Sequence, residues 1–259
     1  MTATTVGTVT ALVRYPVKSL QGEDLDRAAV TDTGLEGDRA WGIVDTATGQ
    51  VLTAKRTTAL LDARAHLAGD EPTIDLPDGT RLTGPGPDTD AALSAWLERA
   101  VTLQRAAAEG SSFTMTFNID DEEQDLFEWP TPPGTFLDLA PIHLLTTASL
   151  AAAEAAHPAG TWSVHRFRPS ILVDTPGLTG FAENDWVGAT VQIGKTALSV
   201  TMPTIRCTLP TRPQTVHGLE RDLQVFKSLA SVNGQNLGIY ATVTNPGAVQ
   251  VGDPVEVLR

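Results

Sequence analysis

The stretch Thr190-Val191-Gln192-Ile193-Gly194-Lys195-Thr196-Ala197-Leu198-Ser199-Val200-Thr201 decides the fold, because Thr190–Ile193 and Ala197–Thr201 read as two short strands around the Gly194-Lys195 turn. The pattern continues on both sides. Downstream, Gly238–Val243 and Val255–Leu258 read as strands, with Asn245-Pro246-Gly247 and Gly252-Asp253-Pro254 as turns. Upstream, Ile171-Leu172-Val173 is a strand. Val9–Val13 alternates only loosely, as a strand buried on both faces does, and Pro16 ends its easy pairing. Ala40–Val44 and Gln50–Thr53 flank Asp45–Gly49 as a predicted hairpin, and Thr73–Leu76 and Thr80–Leu82 flank the Pro77-Asp78-Gly79 turn. Helices are few. Asp88 or Asp90 can cap one with the stripe Leu93, Trp96, Leu97 and Ala100, and Thr146 or Thr147 can cap an Ala-rich one through about Ala156. A third, Leu219–Leu229, carries Leu219, Leu223 and Phe226 on one face. Short strands at regular spacing predict a mainly β chain with some α, built from barrels rather than a doubly wound sheet.

Residues 107–135 read as a long loop or linker, with the acidic run Asp120-Asp121-Glu122-Glu123 and then Pro130, Pro132 and Pro133. The acidic run has no EF-hand pattern and reads as solvated. The chain of 259 residues has room for two modest domains, 1–110 and 111–259, and its 41% hydrophobic content supports a real core. A net charge of -13 argues against a broad nucleic-acid footprint. No apolar run reaches the roughly 18 residues of a membrane span, and Met1–Val6 lacks the basic start of a secretory signal. The expected compartment is the cytoplasm, with no membrane partner. A single cysteine excludes intramolecular disulfides, a Cys₄ zinc site and a self-supplied iron–sulfur cluster.

Several common engines are missing from the sequence: there is no G-x-S-x-G elbow, no P-loop and no H-E-x-x-H. His66, His143, His157, His165 and His217 stand apart without zinc-ligand spacing. Four segments remain. Tyr15-Pro16-Val17-Lys18-Ser19 puts a lysine and a hydroxyl at a strand end. Gly34-Leu35-Glu36-Gly37-Asp38-Arg39-Ala40-Trp41 is a glycine-rich turn delivering an arginine to a strand start. Arg166-Phe167-Arg168-Pro169-Ser170 places two arginines before the strand at Ile171, and Pro203-Thr204-Ile205-Arg206-Cys207-Thr208-Leu209 holds the lone thiol. Each alone also fits an ordinary role: Lys18 as a solvated charge, Arg39 as one half of an ion pair, Cys207 as a small buried hydrophobe. An arginine next to a cysteine favours the thiolate when its head lies close.

Together, and in this order, the segments resemble the MOSC family, named for the C-terminal domain of molybdenum cofactor sulfurase, preceded by its N-terminal β-barrel domain. The resemblance runs from Val9–Ser19 through Gly37-Asp38-Arg39, Leu144–Leu150, Phe167–Val173 and Arg206-Cys207. It ends at Asn245-Pro246-Gly247 and Val251–Val255. Within the family, the chain is similar to the mitochondrial amidoxime-reducing components and their bacterial counterparts.

The resemblance implies two β-barrel domains sharing the molybdenum cofactor. Cys207 would be the protein ligand to molybdenum and the catalytic residue. Lys18, Ser19, Arg39, Thr146, Thr147, Arg168, Ser170 and Arg206 would be its cofactor-contacting positions. A soft thiolate suits a redox metal bound through sulfur, and a pterin phosphate suits several cationic donors. Two positions depart from the family's usual pattern: Ser170 stands where an asparagine is frequent, and Thr204 three residues before the ligand. The implied activity is reduction of N-hydroxylated small molecules with electrons from an external electron-transfer protein. A cofactor carrier or sulfur-transfer protein is the alternative. Asp174 is a candidate general acid or, equally, a turn residue ending its strand.

Overall fold

A computed structural model describes residues 2–116 and 124–259. Asp120–Glu123 lie outside the described residues. Seven strands form a closed barrel: β1 (Ala3–Arg14), β2 (Ile142–Thr146), β3 (Ile171–Asp174), β4 (Thr190–Ile193), β5 (Thr196–Ile205), β6 (Asn236–Asn245) and β7 (Pro254–Leu258). Their spatial order is β1-β3-β2-β6-β5-β4-β7, and β7 pairs back with β1 through Thr4↔Val257. Only β2 and β3 run parallel, with Leu144 opposite Ile171. The alternation works as period-2 patterning requires. Val191, Ile193, Leu198, Val200, Ile239 and Ala241 point into the barrel, joined by Leu12, Ile142, Leu144 and Val173.

β1 bends at two register shifts, one against β7 between Thr5 and Gly7 and one against β3 between Val9 and Ala11. Bulges of this kind supply the curvature that closes a barrel. A Cβ on Gly7 would stand 1.8 Å from the Asp174 carbonyl oxygen, so only glycine admits the β1–β3 approach.

The remaining N-terminal residues build smaller sheets around a second core. Strands Arg64–Ala68, Glu71–Asp75 and Arg81–Thr83 form a meander, and Trp41–Asp45 pairs with Val101–Arg105. Their core holds Leu20, Ile43, Leu60, Leu61, Ile74 and Leu93, all fully buried. In space, β1 closes the barrel of residues 142–258, and Arg27–Thr31 pairs with Gly247–Gln250.

Several sequence expectations are revised. Residues 50–53 fold back on Trp41–Asp45 through the bridge Val44↔Val51 and the bonds Asp45 N to Gln50 O at 3.0 Å and Leu52 N to Ile43 O at 2.8 Å, but the extended strand pairing of Trp41–Asp45 is with Val101–Arg105. The first helix, α1 (Pro87–Leu97), starts from Gly86 with Pro87 at its first position, and its Asp90 carboxylate instead accepts from Leu103 N at 2.8 Å. Glu98 in the left-handed region stops α1 before Ala100. Within 107–135, Ser112–Met115 and Phe127–Pro130 form a hairpin that buries Phe113.

The expected helix at 219–229 lies at Leu223–Asn233, started by the Asp222 carboxylate on Gln224 N and stopped by Gly234. Its buried positions are Val225 and Leu229, while Leu223 is exposed. The Ala-rich helix α2 (Thr147–Ala156) begins as expected, with the Thr146 hydroxyl accepting from Ser149 N at 3.1 Å.

Gly7→Ala should push the Asp174 backbone away and cost roughly 1–3 kcal/mol, the range for overpacking a tight contact. Urea unfolding checks this, and an unchanged midpoint would refute the closure argument.

Candidate functional site

The chain leaves β1 at Arg14 and is at once tied to the turn at residues 38–41. Tyr15 N donates to Asp38 Oδ1 at 2.8 Å, Arg39 N to Tyr15 O at 2.8 Å, and Lys18 N to Trp41 O at 2.8 Å. Ser19 and Arg39 both adopt left-handed backbone, with φ of 72° and 49°, as does Arg168 with 54°. Left-handed non-glycine residues cost about 1–2 kcal/mol each and cluster where side chains must be aimed. The Ser19 hydroxyl oxygen accepts from Ala54 N at 2.9 Å.

Arg39 and Arg168 are aimed at one ring. Their guanidinium carbons lie 4.4 and 4.1 Å from the centroid of Tyr15, which is 1% exposed. Burial opposes the Arg39 charge, but the ion pair with buried Asp38 more than offsets this and raises its pKa. Among the described residues Arg168 has no such partner. Burial pulls its pKa down to about 10, and its Nη1 is buried with no hydrogen-bond acceptor. The Tyr15 hydroxyl is likewise buried and unpartnered; burial pushes its pKa up to about 12 despite the two arginines.

Lys18 completes the cluster from the N-terminal side. Its ammonium donates to the Phe136 carbonyl at 2.6 Å, pairs with the Asp138 carboxylate and lies 4.3 Å from the centroid of Phe113. Burial lowers its pKa, and Asp138 resists that shift.

Beyond β5 the chain turns through Arg206 and Cys207. Arg206 N donates to Gln235 O at 2.8 Å and Nη2 to Phe167 O at 2.9 Å, while Nε is buried without an acceptor. Burial lowers the Arg206 pKa, whereas negative charge on Tyr240 and Cys207 would support it. Cys207 is a free, half-buried thiol. His143 and Tyr240 meet edge to face at 5.7 Å on the outer side of β2 and β6. Burial, and then the Arg206 charge, drives the His143 pKa down to about 3, so this imidazole is neutral.

The arrangement is a set of buried cations beside one thiol, and among the described residues neither Arg168 nor Arg206 has a carboxylate within ion-pair distance. Models of the MOSC N-terminal beta barrel domain and of the MOSC domain match residues 6–120 and 133–256. The chain belongs to the MOSC family. It is 27% identical to mitochondrial amidoxime-reducing component 1 of Homo sapiens, covering 98% of this chain and 83% of that protein. It is also 27% identical to component 1 of Xenopus laevis, over 96% of this chain and 82% of that one. Component 2 of Rattus norvegicus matches at 27%, over 96% and 83%. The crystal structure of YUAD protein from Bacillus subtilis superposes with a TM-score of 0.50 and 14% identity, over 99% of this chain and 97% of that chain, a likeness of fold.

Within this MOSC chain Arg39 and Arg168 both lie at Tyr15, Lys18 feels the charges of both, and Arg206, next to Cys207 in the chain, acts on His143; Ser19 instead bonds to Ala54. Ser170 adjoins them, its N donating to His143 O at 2.8 Å and its O accepting from Val13 N at 3.0 Å. Thr146 and Thr147 lie elsewhere. Thr146 shares the inward face of β2 with Ile142 and Leu144 and donates to buried Glu183 at 2.6 Å. Thr147, the first residue of α2, donates to Asp174 at 2.9 Å, and Thr146 stands about 10 Å along the strand from His143 at roughly 3.3 Å per residue.

Sequence reasoning missed Tyr15 as the shared ring, Asp138, His143 and Tyr240. Tyr15 and Asp38 stood inside the quoted segments; the other three carry no local signal. Among the described residues no group of three or more His, Cys, Asp and Glu could hold a metal ion.

His143 binds a proton more weakly folded than unfolded. Its contribution to stability is therefore complete above the ordinary value of 6.5 and is lost as pH falls toward 3. Between pH 7 and pH 4.5 the wild type should lose about 2 kcal/mol more stability in urea than His143→Phe does. Parallel losses would show that His143 is not the acid-sensitive group.

Proposed function

We propose that this chain is a molybdenum-cofactor-dependent oxidoreductase that reduces N-hydroxylated compounds with electrons from a separate redox partner. The observation that carries this reading is the unpartnered Arg168 Nη1, together with the unpartnered Nε of Arg206, the residue next to the Cys207 thiol. Buried cations without counter-ions are costly unless a ligand supplies the anion. A thiolate ligand together with phosphate-reading guanidiniums fits a soft metal carried on a phosphorylated pterin. The names of the relatives in human, frog and rat, all amidoxime-reducing components, support the same reaction class.

In this reading the cofactor is shared between residues 1–110 and 111–259. Cys207 is the ligand to molybdenum, and Lys18, Arg39, Arg168 and Arg206 supply positive charge to the phosphate and ring edges. Ser19 and Ser170 shape the contact through the backbone turns they occupy. Thr146 and Thr147 support the site from a distance by starting α2. When bound, the cofactor supplies the two-electron chemistry that cleaves an N–O bond and releases water. Tyr15 orients Arg39 and Arg168 through cation–π contacts at 4.4 and 4.1 Å. Neutral His143 keeps another positive charge out of the cluster.

No helix among the described residues is long and apolar enough to cross a membrane. Electrons come from outside: the only cysteine is Cys207, which cannot build a cluster. The partner is an electron-transfer protein, and the working compartment is the cytoplasm.

Expression of the wild type and Cys207→Ala in a host that makes the cofactor tests the reading. Near-stoichiometric molybdenum and oxidised pterin are expected in the wild type, with metal lost in the variant; an empty wild type would sink the proposal. Release of the cofactor to an acceptor enzyme, without turnover of a hydroxylamine or amidoxime, would favour a carrier. Purified protein given NADH alone should not reduce an amidoxime, and turnover without an added partner would overturn the external donor.

A further inference from the structure

The first arginine of Arg166-Phe167-Arg168 takes no part in the site above. Arg166 is 1% exposed, and no carboxylate among the described residues lies within ion-pair distance of it. Its guanidinium is instead filled with backbone carbonyls. Nε donates to Thr161 O at 2.8 Å, Nη1 to Pro210 O at 3.0 Å and Arg212 O at 3.4 Å, and Nη2 to Glu220 O at 2.8 Å. Three of these four acceptors belong to the segment that follows Cys207.

The same junction is tied twice more. Arg206, on the other side of Cys207, donates to Phe167 O, and the rings of His165 and His217 stack at 3.7 Å and 5°. The Cys207 turn is therefore held from both flanks to the short helix Val164–Phe167, whose next residue is Arg168. A rigid planar fork can serve carbonyls in several directions at once, which an ammonium on a flexible stem cannot reproduce.

We propose that Arg166 is a positioning residue that fixes Cys207 relative to Arg168. The inference rests on the reading of Cys207 as metal ligand and Arg168 as cofactor contact. Phe167 makes the division of labour possible: it anchors in the core with Leu145, Val225 and Leu229, while Arg166 serves the thiol segment and Arg168 faces Tyr15.

The test compares Arg166→Gln and Arg166→Lys with wild type in the full chain, with Leu93→Ala in the N-terminal core as a control for general loss of stability. In protein made without cofactor, the rate of Cys207 alkylation by an uncharged maleimide is followed from neutral to alkaline pH. Arg166→Gln should react about fivefold faster or more, the size expected for loss of one local constraint, with Arg166→Lys intermediate. In a cofactor-competent host, molybdenum per chain should fall in the same order. Leu93→Ala should lower Tm and leave the alkylation rate unchanged. Wild-type alkylation rates in Arg166→Gln, or in Arg166→Lys if the first does not fold, would overturn the proposal. A wild type without molybdenum would remove the functional reading, and the alkylation rates would still decide the positioning claim.

Discussion

The Tyr15 ring carries the guanidiniums of both Arg39 and Arg168 at cation–π distance, and this contact joins the N-terminal sheets to the barrel. Each such contact contributes about 0.5–2 kcal/mol, more when desolvated. The arrangement also brings two buried like charges to one aromatic ring, at 4.4 and 4.1 Å from its centroid. Asp38 completes it by accepting from Tyr15 N while pairing with Arg39, so that one buried carboxylate sets both the backbone turn and the charge. Removing one partner of a buried pair of this kind typically costs about 3–5 kcal/mol.

The cluster is basic although the chain carries a net charge of -13. The two facts do not conflict, because surface charges are screened beyond about 8 Å at physiological ionic strength while buried ones are screened far less. Local burial, rather than total charge, sets the field felt at Cys207. Burial also explains why Lys18, Arg168, Arg206 and His143 all shift toward the neutral form, whereas Arg39, with Asp38 beside it, shifts the other way.

Strain and satisfaction divide the two arginines at 166 and 168. Arg168 sits in left-handed backbone with an unspent N–H, and Arg166 sits in a helical turn with its donors spent on carbonyls. A protein that left both unsatisfied would lose more stability than a small barrel can spare, since net stability is only about 5–15 kcal/mol. One satisfied neighbour lets the other remain available.

The sequence by itself determined the strand-rich class, the turns that separate the strands, the hydroxyl cap of α2, and the order of the segments holding Lys18, Arg39, Arg168 and Cys207. These are local properties: period-2 patterning, turn chemistry and side-chain capping act within a few residues. Only the tertiary structure decided which distant strands pair, because nothing local to Trp41–Asp45 marks Val101–Arg105 as the partner beside its near neighbour at 50–52. It also decided that β1 closes the distant barrel, through a contact only Gly7 admits. The same holds within the site. His143 and Thr146 stand three residues apart on one short strand, so alternation sends them to opposite faces, His143 to the cationic cluster and Thr146 to Glu183. Asp138 and Tyr240 reach the cluster from residues far apart in the chain, and no local signal encodes such a meeting.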